Sequence, residues 1–166
     1  MKKVGIYTRV SDDKKKNDGE RRQYVERQIK LLTNFLNNKG ITEIEVYCDD
    51  GKSAFTEDFN QRVEFKRLLN DCRRYTIKEV YIEDMTRFSR NLILGLQWLR
   101  ELGDLGVHLV SLKEGELEIT SSKGWMQSTI LLFFAEWSSR VQSEKVKSGM
   151  EKARLKKSIG RPKKVN

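Results

Sequence analysis

Hydrophobic and polar positions fall into blocks of two kinds along the chain. Four short runs rich in Val, Ile and Tyr, at about 3–10, 43–48, 77–83 and 107–112, have the length and composition of strands. Longer stretches with apolar residues at helical spacing separate them. Val25, Ile29, Leu32, Phe35 and Leu36 predict a helix over 20–38, with Gly40 as its stop. Val63, Phe65, Leu68 and Leu69 predict a second over 61–72; Leu92, Leu96, Leu99 and Leu102 predict a third over 91–105, closed by Gly106. Strands alternating with crossover helices imply an α/β fold around a mainly parallel sheet of four to five strands.

The last block is of a different kind. After a predicted loop over 113–121, the segment 122–158 has no breaker except Gly124 and Gly149. A helix of that length extends roughly 50 Å, whereas a compact chain of this size is about 40 Å across, so the helix is expected to protrude. Its first half carries Met126, Ile130, Phe133, Phe134, Trp137 and Val141, apolar on more than one face. One small sheet cannot cover all of that surface, and a second protein chain is the expected partner. Beyond it, Gly160, Arg161 and Pro162, the only proline, begin an extended basic arm over 159–166. The expected organisation is therefore a body over 1–121, the long helix over 122–158 within the same domain, and the arm.

Charge sharpens this picture. The 166 residues carry 33 Lys and Arg against 24 Asp and Glu, a net charge of +9. From position 140 onward there are ten bases (Arg140, Lys145, Lys147, Lys152, Arg154, Lys156, Lys157, Arg161, Lys163, Lys164) and two acids (Glu144, Glu151), a balance of +8 that leaves the body nearly neutral. A cationic tail of this kind is the electrostatic footprint of a phosphate backbone, and double-stranded DNA is the expected partner. Mean hydropathy is −0.66, and no apolar run is long enough for a signal peptide or a bilayer span; the expectation is a cytoplasmic protein with no membrane partner. Cys48 and Cys72 are too few for a disulfide framework, and with the single His108 they do not make a zinc site. Both thiols are expected buried and reduced, His108 structural, and Trp98, Trp125 and Trp137 in core or interface.

In open parallel sheets ligands bind beyond the carboxyl ends of the strands. The residues there are Arg9, Ser11, Asp12 and Asp13; Asp49, Asp50 and Ser53; Asp84, Arg87 and Arg90; Glu114 and Glu116. Two chemistries use such a set. A serine hydroxyl can attack a phosphodiester while arginine forks hold the non-bridging oxygens, with no metal. Alternatively, strand-end aspartates can hold magnesium for a metal-dependent nuclease. The number of arginines favours the first. The polar loop from Asp12 to Arg22 reads equally well as a lid or as a solvated loop.

Tyr7-Thr8-Arg9-Val10-Ser11, Asp50 followed by Ser53, Arg62 before an amphipathic helix, Arg87-Phe88-Ser89-Arg90, and Ala135-Glu136-Trp137 through Ser143-Glu144-Lys145, in this order, resemble the catalytic domain of the serine recombinases, the resolvase and invertase family. The resemblance covers about residues 3–162. It implies a resolvase-like fold and a nucleophile, Ser11, that forms a 5′-phosphoserine link to DNA and frees a 3′-hydroxyl, without ATP or metal. Arg9, Arg62, Arg87 and Arg90 would surround the phosphate, Gln28 would lie near the site, and Glu144 would sit beside the dimer interface and DNA. The long helix would pair with its copy in a dimer, and two dimers would form the tetramer that exchanges strands.

The chain departs from the family at several points. Thr86 stands where an aspartate usually precedes the first arginine of the third-strand motif, and Asp84 lies two residues earlier. Ser138 and Ser139 replace a Glu-Arg pair, and Lys145 replaces an arginine, keeping the charge but losing the bidentate fork. A separate DNA-recognition domain is expected to be absent after Lys164, and the arm suits an AT-rich minor groove. These departures keep a second reading open, a non-catalytic DNA-binding or regulatory relative with the same fold.

Overall fold

The computed structural model describes residues 3–10, 18–50 and 62–159, with side chains for 3–9, 23–49 and 62–155. Ser11, Asp12, Asp13 and Ser53, and the side chains of Asp50, Lys156, Lys157, Arg161, Lys163 and Lys164, lie outside these residues. The four predicted apolar runs form strands β1 (Val4–Val10), β2 (Ile44–Asp50), β3 (Glu79–Ile82) and β4 (His108–Ser111), all mutually parallel. Sheet order is β2-β1-β3-β4-β5. The fifth strand, β5 (Gly115–Leu117), runs antiparallel to β4 inside the segment predicted as a loop. Three residues are too short to show a period, and Gly115, whose φ is +87°, reverses the chain tightly enough for them to pair back.

Helices α1 (Asp18–Asn38), α2 (Val63–Arg73), α4 (Leu92–Asp104) and α5 (Ser122–Ile159) match the predicted blocks to within two or three residues. The short α3 (Met85–Phe88) was not anticipated. Strand alternation divides the core in two. Val4, Ile6 and Tyr81 pack with Leu32 and Leu36 of α1 on one face. Tyr7, Tyr47, Val80 and Ile82 face Phe65 and Leu68 of α2, Trp98 and Leu99 of α4, and Leu132 of α5 on the other. Phe65 stands at the centre of the second core, with ring centroids 5.1 Å from Tyr7, 5.7 Å from Phe88 and 4.7 Å from Trp98.

The root of α5 is docked and the rest protrudes, as the length argument requires. Ser128, Leu132 and Ala135 are buried against the body. Two glycines set the approach: a Cβ on Gly95 of α4 would stand 2.7 Å from Leu132, and one on Gly124 would meet the Glu118 carbonyl oxygen at 1.8 Å. Met126, Ile130, Phe133, Phe134 and Trp137 form a stripe about half exposed, and every residue from 144 to 155 is exposed. Among the described residues no helix is long and apolar enough to cross a membrane.

Both cysteines are free thiols. Burial pushes the Cys72 thiol up to about 12, which makes it a core group and not a nucleophile, while Cys48 is only half-buried, short of the full burial expected. His108 is exposed and pairs with Glu116 at 3.0 Å on the outer face of the β4–β5 hairpin. Trp98 is in the core, Trp125 packs against its edge, and Trp137 belongs to the exposed stripe.

Candidate functional site

The strand order reverses between β1 and β3, because β2 adds on one side of β1 and the later strands on the other. The carboxyl ends of these two strands frame the crevice where α/β sheets take ligands. Arg9 closes the described side chains of β1, and α3 with Arg87 follows β3.

Three guanidiniums meet α3. Arg9 donates to the Thr86 carbonyl oxygen at 3.1 Å. Arg62, immediately before α2, donates to the Phe88 carbonyl oxygen at 2.7 Å. Arg87 belongs to α3 itself and donates to the Tyr24 hydroxyl of α1 at 2.7 Å. Thus β1, the start of α2 and α3 bring together arginines separated by up to 78 positions in sequence. Arg90, beyond α3, is half-buried.

Arg62 is the most firmly built of the set. Its guanidinium carbon lies 4.1 Å from the Phe65 ring centroid and 4.3 Å from that of Trp98, so two π faces hold it. Its Nε and Nη2 donate to the Tyr7 hydroxyl at 3.2 and 2.8 Å. Tyr7 in turn donates to Asp49 Oδ2 at 2.9 Å. Asp49 also accepts the backbone N–H groups of Glu64 at 2.9 Å and Phe65 at 3.1 Å, so one carboxylate caps α2 and anchors the arginine through Tyr7. Burial, the leading influence, drives the Tyr7 phenol well above its usual range despite the opposing Arg62 charge, which keeps it neutral and able to donate.

Sequence reasoning passed over this support. It placed Asp50 with Ser53 in the site and left Asp49 among strand-end acids, although in parallel register Asp49 is the direct partner of Arg9. Tyr7 was read only as part of a motif, and Tyr24 was not singled out. Alternation along the first two strands is the signal that would have found Tyr7 and Asp49, since both follow the period that buries Tyr47.

Several buried polar groups are left without partners. Gln28 of α1 is buried with both amide atoms unpartnered, and Arg62 Nη1 and Thr8 Oγ1 are likewise buried without a hydrogen bond. Buried donors left open are costly unless something binds them.

The carboxylates are committed elsewhere. Asp49 is engaged as described, and Asp84 Oδ1 accepts from both the backbone N–H and the hydroxyl of Thr86. Its Oδ2 takes the Lys113 ammonium at 2.7 Å. Glu83 faces Arg87 at 3.6 Å and Arg27 at 3.5 Å. The strand-end acids expected after β4 do not join the cluster: Glu114 accepts from the Ser111 hydroxyl, and Glu116 pairs with His108.

Sites predicted on α5 lie apart. Arg140 is held by Glu136 one turn earlier, through its Nε at 2.8 Å. Glu136 also accepts the Leu92 N–H at 2.7 Å, clipping α5 to the start of α4. Glu144, Lys145, Lys147, Lys152 and Arg154 are exposed on the protruding half.

The profile of the family described as "Resolvase, N terminal domain" matches residues 4–158. Among solved structures, the N-terminal catalytic domain of TP901-1 integrase is 27% identical, with a TM-score of 0.57 over 84% of this chain and 98% of that one. A resolvase family site-specific recombinase from Streptococcus pneumoniae is 26% identical, with a TM-score of 0.59 over 93% of this chain and 99% of that one. The C-terminal catalytic domain of ISC1926 TnpA, an IS607-like serine recombinase, shares the fold at 21% identity and a TM-score of 0.56, over 90% and 99% of the two chains. A comparison with curated protein sequences gave no match. With its α/β body, its arginine-lined switch point and its long final helix, the chain belongs to the resolvase family as a serine recombinase catalytic domain.

Proposed function

We propose that this chain cuts and rejoins double-stranded DNA through a covalent intermediate on Ser11, two residues beyond Arg9. The Ser11 oxygen attacks phosphorus, the bond to the 3′-oxygen breaks, and the departing sugar takes a proton as its hydroxyl. The hydroxyl proton of Ser11 is released, and the 5′-phosphoserine ester conserves the bond for religation to a new 3′-end. Arg9, Arg62, Arg87 and Arg90 hold the non-bridging oxygens, where pre-placed charge counts most. Gln28, Asp50, Ser53 and Asp84 support the site, and Glu144 lies on the long helix toward the DNA.

The observation that carries this reading is the meeting of three arginines on α3, one of which, Arg62, keeps its Nη1 without a hydrogen-bond partner. The Tyr7 hydroxyl and two backbone N–H groups on Asp49, and Thr86 and Lys113 on Asp84, already occupy these carboxylates, which favours guanidinium chemistry over an aspartate-held metal. The stripe from Met126 to Trp137 supports a dimer through α5, with tetramers in the active complex, and the bases from Arg140 to Arg154 with Lys156, Lys157, Arg161, Lys163 and Lys164 support DNA contact.

The test is incubation with supercoiled DNA carrying the cognate site, with chelator present, followed by a search for protein attached to 5′-ends. An adduct in chelator, lost in Ser11→Ala, supports the reading. Binding without an adduct points to a non-catalytic relative, and cleavage abolished by chelator points to a metal nuclease. Arg62→Lys keeps the charge but loses the fork and the fit between rings; adduct formation is expected to fall about a hundredfold, measured by the same assay.

A further inference from the structure

The corner that carries Arg87 contains two adjacent buried carboxylates. Glu83 and Asp84 are 7% and 5% exposed, and both lie within reach of the arginines meant for phosphate. Left uncompensated, such a pair would draw Arg87 inward and repel an incoming anion. Two cations from distant elements face it. Arg27 comes from α1. Lys113 comes from the turn between β4 and β5, with its ammonium 2.7 Å from Asp84 and 3.9 Å from Glu83.

Backbone geometry fixes where Lys113 stands. The N–H of Leu112 donates to the Ile82 carbonyl oxygen at 3.0 Å and that of Lys113 to Glu83 at 3.3 Å, so this turn continues the β3–β4 pairing past the strand ends. Asp84 then passes the constraint on, because its other oxygen holds the N–H and hydroxyl of Thr86, whose carbonyl oxygen receives Arg9. A line of contacts runs from Lys113 through Asp84 and Thr86 to Arg9.

We propose that Lys113 is a positioning residue for the phosphate-binding arginines: its ammonium offsets the charge of Asp84 and Glu83 and, through Asp84 and Thr86, pins α3, which carries Arg87 and on which Arg9 docks. The inference rests on the Ser11 reading and names a residue that it does not include. Burial raises the Asp84 carboxyl, but the hydrogen bonds from Lys113 and Thr86, with the charges of Arg87 and Lys113, outweigh it and hold the group below the usual carboxylate range. Thr86 is the link between Asp84 and Arg9.

The test uses the full chain, isotope-labelled, with a thymidine dinucleotide bearing one phosphodiester as the probe. Arginine Nε–H resonances report binding, and the Asp84 carboxyl carbon reports its own titration. In Lys113→Met, dinucleotide affinity is expected to fall about tenfold, the scale at which outer partners of charged sites act, and the Asp84 titration to move up. Lys113→Arg should restore both. The double variant Asp84→Asn with Lys113→Met should bind better than Lys113→Met alone, since the unpaired charge is gone. Unchanged affinity and Asp84 titration in Lys113→Met, or equal losses in the Met and Arg variants, overturn the inference. If the parent shows no arginine shift with the dinucleotide while the Asp84 titration responds to Lys113 as expected, the phosphodiester reading fails and the proposed role falls with it.

Discussion

At the scale of single residues, the described structure invests much of its polar capacity in holding charges still. Asp84, Glu136 and Glu45 all lie below the ordinary carboxylate range. For Asp84, burial is overcome by Lys113 and Thr86; for Glu136 the leading cause is the Leu92 N–H, and for Glu45 the hydrogen bonds from Lys3 and Arg67. Carboxyls lowered in the folded state contribute stability that is complete above about pH 5 and lost as pH falls through the ordinary and then the lowered values. Urea midpoints are therefore expected to drop as the solution is acidified below about pH 5, and Asp84→Asn should flatten that slope. Tyr75 is a residue of the opposite kind. It ends α2 with φ of 59° and is 66% exposed, so it occupies a left-handed position with little burial to offset the strain. Tyr75→Gly is expected to raise stability by about 1 kcal/mol, read from the same denaturant curves. The site's legibility in sequence divides along similar lines. Arg9, Arg62 and Arg87 announced themselves by motif, but Asp49 and Tyr7 hold Arg62 through contacts spanning 42 and 55 positions, and spacing along a chain does not register such reach.

Among the elements, the glycines of the α5 root decide how the long helix leaves the body. Gly124 lies so close to the Glu118 carbonyl oxygen that any side chain forces the first turn of α5 outward. Gly124→Ala is expected to cost about 1–3 kcal/mol, as overpacking at a site that cannot yield, seen as a lower thermal midpoint. Element types were largely readable: the four parallel strands and four long helices follow from apolar periodicity, because each must bury one face or one stripe. What escaped was small. β5 has three residues and α3 four, too few for any period to show, and both are fixed by what they contact. Yet α3, the shortest helix among the described residues, is where Arg9, Arg62 and Arg87 meet.

For the whole molecule, the division between a nearly neutral body and a basic helix predicts two partners on one element, and the two surfaces that prediction rests on lie apart along α5. The apolar stripe from Met126 to Trp137 lies on the docked half and the cationic surface on the free half. Phe133→Glu with Trp137→Glu is expected to leave the fold intact, because both residues are about half exposed, and to abolish self-association in sedimentation.

Between residues 144 and 155 every side chain of α5 is exposed, so these turns have no buried face to lean on. The docked turns supply its nucleus, so these outer turns need only propagate, but propagation alone is marginal in water. Among the described residues, these are therefore the turns of α5 whose helicity depends most on their own sequence. If α5 contacts DNA as proposed, ordering these turns along a duplex costs conformational entropy that counterion release must outweigh.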